Sequence, residues 1–256
     1  MNAPCSPASP ARALCRTRSR RRRVEAVLLV ALTCALAACS SPPAPPRVDN
    51  LPMYGQPAIP RPTQLKQADA AFVASAVTEF RGDRKLASIA WSGQAERFLK
   101  ERNLDYAMRR YNQAWLLDPE NHEVYWGFGR VLAETERFDE AIPHLQKGLE
   151  LCTEPAERAA ILCDLAAAYS AKAGTISPDL PATRAAAFAL ANQMFAHSTE
   201  ANAAHADAWR RWAISLASEG KLADAADKAR RAAELGAAPL PAATRALIEA
   251  RVSRTP

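Results

Sequence analysis

Glycine is scarce in this 256-residue chain, nine residues in all. Nowhere do the glycines cluster into a loop whose backbone amides could cradle a phosphate. Histidine is rarer still: His122, His144, His197 and His205 are the four, and none stands at a metal-ligand spacing from Cys, Asp or Glu. Each reads as a solvated or helix-capping residue. No serine or cysteine sits in a recognisable nucleophile motif, so the sequence offers no catalytic residue, no cofactor site and no metal site. The apolar stretch from Ala26 to Ala38 is too short for a spanning helix, which needs about 20 residues. A surplus of basic charge is missing from the body of the chain as well. Of 33 basic and 27 acidic side chains, seven and one fall within residues 1–38, which leaves 26 of each. The high overall pI belongs to those first residues, and a nucleic-acid partner, which would need a basic face, is not expected. Aromatic residues are only 7% of a chain that is 49% hydrophobic, a composition that suits an alanine-rich helical body of one domain.

Residues 1–38 read as an export signal. Arg16, Arg18 and Arg20 to Arg23 form a basic region, an apolar stretch comes next, and Leu36-Ala37-Ala38-Cys39 ends in small residues before a cysteine. The last four residues resemble the lipobox of bacterial lipoproteins. That resemblance implies a diacylated Cys39 thiol, cleavage before Cys39 and acylation of the new amino terminus. Three acyl chains exceed the two signals that stable anchoring requires. Ser40 in place of an acidic residue implies sorting to the outer membrane, facing the periplasm; an ordinary secretory signal cut near the same place is the alternative. From Ser40 to Pro62 eight prolines interrupt any regular element. Residues 39–63 are therefore expected to be a tether, able as polyproline II to reach about 70 Å. Within it, Leu51 to Pro57 is less polar than a pure spacer, and either folds onto the body of the chain or stays disordered.

The remainder is organised by a period of 34: Trp91 to Tyr125, Ala95 to Gly129, Ala107 to Ala141, Tyr111 to Leu145, Ala114 to Gly148. A large apolar residue, a small one four later, and an Ala–aromatic–Ala rhythm in the second half resemble the tetratricopeptide repeat (TPR) family over about 88–239. The resemblance implies an all-α solenoid of about four helical hairpins with flanking cap helices. The expected units are 83–121, 122–158, 159–205 and 206–239, with caps at 64–82 and 240–256. The third unit carries roughly 13 extra residues, and Gly174 to Pro181, with two prolines, places them in a loop at 172–183. Gly82 should end the first cap helix and Asp83 should N-cap the next.

In such a stack the first helix of each repeat lines a concave groove, and the positions between the packing residues face it. These are Ser92, Glu96 and Lys100, then Glu123, Trp126 and Arg130, then Cys163 and Ala167, then Asp207 and Arg210. Glu96, Trp126, Arg130 and Arg210 are the candidate partner-binding residues, since Trp and Arg are enriched at binding hot spots. The Trp126 indole either faces the groove or packs on the neighbouring unit. Carboxylate-clamp recognition is not expected, because Ser92 and Glu96 stand where lysine and asparagine would be needed. Cys152 and Cys163 are the two cysteines left beyond Cys39, either as buried free thiols or, if their Cα atoms lie within about 7 Å, as a disulfide. The function read from all this is non-enzymatic: a protein or extended peptide partner held in the groove, in envelope assembly of the pilotin or barrel-assembly kind. The alternatives are an accessory of a cell-wall enzyme and a soluble periplasmic scaffold.

Overall fold

The structure, a computed structural model, describes residues 47–252; the expected export signal, Cys39 and residues 40–46 lie outside them. Ten α-helices occur among the described residues, with no strand: α1 Thr63–Glu79, α2 Arg84–Lys100, α3 Leu104–Leu117, α4 His122–Glu134, α5 Phe138–Leu151, α6 Pro155–Thr175, α7 Pro181–Ala201, α8 Ala206–Glu219, α9 Leu222–Glu234 and α10 Ala242–Val252. None of them is long and apolar enough to cross a membrane.

Local chemistry sets the boundaries. The Asp83 carboxylate accepts from the Leu86 amide, Asn103 does the same for Tyr106, and Asn121 for Glu123, so three helices begin on side-chain caps. Pro155 and Pro181 open α6 and α7, where a missing amide costs nothing. Helix α8 ends on Gly220 in the left-handed region, at φ 91°.

Helices pair as hairpins, α2 with α3, α4 with α5, α6 with α7 and α8 with α9. The first helices of consecutive hairpins pack on one another, while each second helix packs on the first helix of the next hairpin. This asymmetry curves the stack and puts α2, α4, α6 and α8 on its inner side. The chain is thus an all-α helical-hairpin solenoid. Small residues permit the close approach: a Cβ on Gly129 would lie 2.5 Å from Leu145, and one on Gly148 would lie 3.0 Å from the Trp126 backbone nitrogen. At the N-terminal end α1 covers the first hairpin, with Phe72 and Phe80 edge-on to Trp91 at 5.6 and 6.1 Å. At the other end α10 packs on α8 and α9 through Ile248.

Two expectations are corrected here. The extra residues of the third repeat do not form a loop at 172–183. Helices α6 and α7 extend to 21 residues each, and only 176–180 connect them. Gly174 stays helical near the end of α6, Pro181 starts α7, and Ile176 packs on Ala173, Ala187 and Phe188 to close the hairpin. The stretch expected to be a tether is folded from residue 47 onward. Two 3-10 turns, Val48–Asn50 and Pro52–Gly55, lie on α3. The buried Asn112 amide of α3 donates to Asp49 O at 3.0 Å and Leu51 O at 2.9 Å and accepts from the Tyr54 amide at 3.3 Å. Arg61 lies 3.7 Å over the Tyr54 ring and forms a two-pronged pair with Asp69 of α1, both bonds 2.7 Å.

His144 is also placed differently from expectation. It is neither solvated nor a cap but packs on Tyr125 and Phe128, with ring centroids 6.3 and 5.5 Å away. Burial lowers its pKa from the ordinary 6.5 to about 4, with Glu140 opposing and Arg137 reinforcing the shift. The folded state refuses a proton that the unfolded chain accepts below 6.5. Stability is therefore full above that pH and falls as pH drops toward 4. Urea unfolding at pH 7 and pH 5 should differ by about 2 kcal/mol from this residue, and His144→Phe should remove most of the difference.

Candidate functional site

One repeat position carries a chain of alternating charge along the inner side of the stack. Arg130 of α4 donates to Glu96 of α2 at 2.6 Å, across a step of 34 residues. On its other side it approaches Asp164 of α6 at 3.7 Å, a further 34 along. Asp164 accepts from Arg211 of α8 at 2.8 Å, 47 residues on, which is the period plus the roughly 13 extra residues of the third repeat. Asp207 closes the row on Arg211 at 2.6 Å, and Lys100 reaches Glu96 at 3.6 Å. For both Arg130 and Arg211 burial disfavours the charge, but the neighbouring carboxylates outweigh it and the pKa rises. Each charge is partly withdrawn from water and already paired. Truncating one member leaves another uncompensated, so the row ties four hairpins together as well as lining the groove.

Beside this row, between α2 and α4, a cavity of about 270 Å³ is lined by Ser92, Gly93, Glu96, Tyr111, Glu123, Trp126, Gly127 and Arg130. Two glycines form part of its wall. The Tyr111 ring fits against Gly127 so closely that a Cβ there would lie 2.1 Å from it, and its hydroxyl donates to Glu96 at 3.3 Å. Burial pushes the Tyr111 hydroxyl up, and it pushes the Glu123 carboxyl above its usual range. Leu86 and Ile89, each 50% exposed, precede Gly93 and Glu96 at helical spacing and put apolar surface on the same stripe of α2.

Of the groove residues expected from sequence, Glu96, Trp126 and Arg130 come together. The Trp126 indole is half-buried, however, and is not free: its N–H donates to Asp164 at 2.7 Å, with Arg130 5.6 Å over the ring. It packs on the neighbouring unit and lines the cavity at once. Arg210 does not join them. Its guanidinium donates to Pro239 O at 3.3 Å and to Asp207 at 3.4 Å, and it lines a separate cavity with Leu240 and Ile248 under α10. Arg211 takes the groove position, one residue later. Cys163 faces inward, 2% exposed, with its thiol pushed up to about 12 by burial. Both described cysteines are free and buried.

Asp164 and Arg211 escape the reading from sequence, although counting 34 onward from Arg130 finds the first of them directly. The fold also assembles what spacing along the chain does not show. His122, Cys152 and Glu157 present ligand atoms all within 4.8 Å of one another, so His122 is a paired residue and not a simple cap.

No protein-family model and no curated protein matches this chain. Among solved structures it is similar to PilF of Pseudomonas aeruginosa, at 19% identity over 75% of this chain and 88% of that one, with a TM-score of 0.49. It is similar also to YrrB, described as a TPR protein with an unusual peptide-binding site, at 18% identity over 71% of this chain and 97% of that one, with a TM-score of 0.33.

Proposed function

We propose that this chain is a non-enzymatic scaffold that holds a segment of a partner protein along its inner groove. The observation that carries the reading is the cavity between α2 and α4, with polar groups on its wall and the exposed Leu86 and Ile89 on the same stripe of α2. A concave site with a few placed polar groups and adjoining apolar surface suits a side chain of an extended or helical segment. The charge row alongside supplies donors and acceptors in alternation, which favours a partner of mixed polarity over one of a single charge sign.

The reading continues to the cell envelope through the leader. Leu36-Ala37-Ala38-Cys39 supports lipidation at Cys39 and placement at the outer membrane, facing the periplasm. A lipid-anchored groove would act by bringing a partner to the membrane surface, as in assembly of a secretin or barrel complex of the pilotin or barrel-assembly kind. Control of a cell-wall enzyme is the alternative. Ile89→Asp tests the groove, because the residue is half exposed and the substitution leaves the core untouched. Affinity capture from the envelope fraction should lose its specific partner at least tenfold with Ile89→Asp, at unchanged helical circular dichroism. Equal capture by both forms would place the binding surface elsewhere.

A further inference from the structure

We propose that His122, Cys152 and Glu157 form a zinc site at the junction of the second and third hairpins. The three residues come from three consecutive helices, each held by its own local contacts. His122 is the first residue of α4, directly after the Asn121 cap. Cys152 caps the C-terminal end of α5 and its amide bonds Gly148 O at 3.0 Å. Glu157 sits in the first turn of α6. The missing side chain of Gly148 lets α5 lie against the start of α4, since a Cβ there would be 3.3 Å from His122 O. Arg158 then fastens the turn between α5 and α6 by donating to Leu149 O and Cys152 O, both at 2.7 Å.

The donor set decides the ion. One thiolate, one imidazole and one carboxylate match the borderline preference of Zn²⁺, whereas Ca²⁺ and Mg²⁺ take oxygen ligands. Tetrahedral zinc needs donors separated by about 3 to 4 Å. The cluster spans 4.8 Å at most, and His122 Nε2 lies 2.5 Å from Glu157 Oε2. Closing the first gap and opening the second takes about an ångström of movement, and the Glu157 side chain is 40% exposed and able to make it. The sulfur is buried, while His122 and Glu157 are open to solvent at 21% and 40%, so a fourth position remains for water. On binding, the Cys152 thiol releases its proton to solvent as the Zn–S bond forms. His122 coordinates through one ring nitrogen and keeps its hydrogen on the other. The bound ion would staple α4, α5 and α6 together.

The test uses the full chain, stripped of metal by a chelator and titrated with Zn²⁺ and then Co²⁺. The expected result is one ion per chain at micromolar or tighter affinity, a thiolate-to-cobalt charge-transfer band, and a rise in Tm with Zn²⁺. Cys152 is the one thiolate of the site, so Cys152→Ser should abolish that band and weaken binding at least tenfold. Glu157→Gln, at an exposed position, should weaken binding at least tenfold without loss of helical signal. Cys163→Ser should change neither. Absence of binding at micromolar Zn²⁺, or a cobalt band that Cys152→Ser leaves intact, would overturn the site.

Discussion

Phe195→Ala should cost about 3–5 kcal/mol and uncouple the last hairpin from the rest of the stack. Phe195 is fully buried on α7, stacked on Trp212 of α8 at 6.2 Å with an interplanar angle of 14°. Around it lie Cys163, Ala166 and Ala208, whose short side chains cannot reach into the hole a truncation would leave. Because each repeat is stabilised through its neighbours, the loss concentrates at one interface instead of spreading through the molecule. Thermal unfolding followed by circular dichroism should broaden or split. Amide exchange in α8, α9 and α10 should accelerate well before that in α2 to α5. A single sharp transition lowered by less than about 1 kcal/mol would mean that the third and fourth hairpins are not joined through this ring.

Asn112→Ala should release the segment 47–62 from the solenoid while leaving the hairpins helical. The amide makes three hydrogen bonds to the backbone of that segment from a fully buried position, and alanine removes all three, leaving Asp49 O stripped of this donor and the Tyr54 N–H and Leu51 O with only their 3.1 Å bond to each other. At about 1–3 kcal/mol for a buried group left unpaired, re-solvating the segment is the cheaper outcome. Met53 and Tyr54 strengthen the argument, because both sit in the left-handed region, at φ 51° and 56°. For a residue with a Cβ that conformation costs roughly 1–2 kcal/mol, and only the contacts of the docked state hold it. Limited digestion with a protease of broad specificity should therefore cut Asn112→Ala between residues 48 and 62, where Tyr54 and Arg61 are buried in the wild type. Equal protection in both proteins would show that Tyr54 and the Arg61–Asp69 pair suffice.

The parts of the fold that are legible in the sequence are those in which a packing requirement recurs. Trp91 and Tyr125, Ala95 and Gly129, and Ala114 and Gly148 mark the period because each hairpin solves the same packing problem. The same period carries Glu96 to Arg130 to Asp164. Charge at this position alternates where size at the packing positions is constant, and a search for like residues passes over it. The apolar pattern of α8 points to Arg210 over Arg211 because that pattern carries no trace of the register shift that the longer third repeat introduces. Gly174 and Pro181 look like parts of a loop, yet a helix tolerates glycine in its last turn and proline in its first, and the local residues do not say how far the helices continue. Asn112 is one polar residue among packing positions of α3, and nothing in its neighbours shows what it fastens. The left-handed Met53 and Tyr54 are set by that docking and not by residue preference. His122, Cys152 and Glu157 meet only through the stacking of three helices.

The central claim is that the inner groove is the working surface, and photo-crosslinking in living cells tests it most directly. A photoreactive amino acid is placed at Ile89, on the groove stripe of α2, and in a second strain at Tyr106, on the outer helix of the same hairpin. The two positions are 50% and 49% exposed, so chance collisions are matched. The account predicts a discrete adduct with a partner protein from position 89 and none from position 106. Adducts of equal yield from both positions, or from 106 alone, would contradict it.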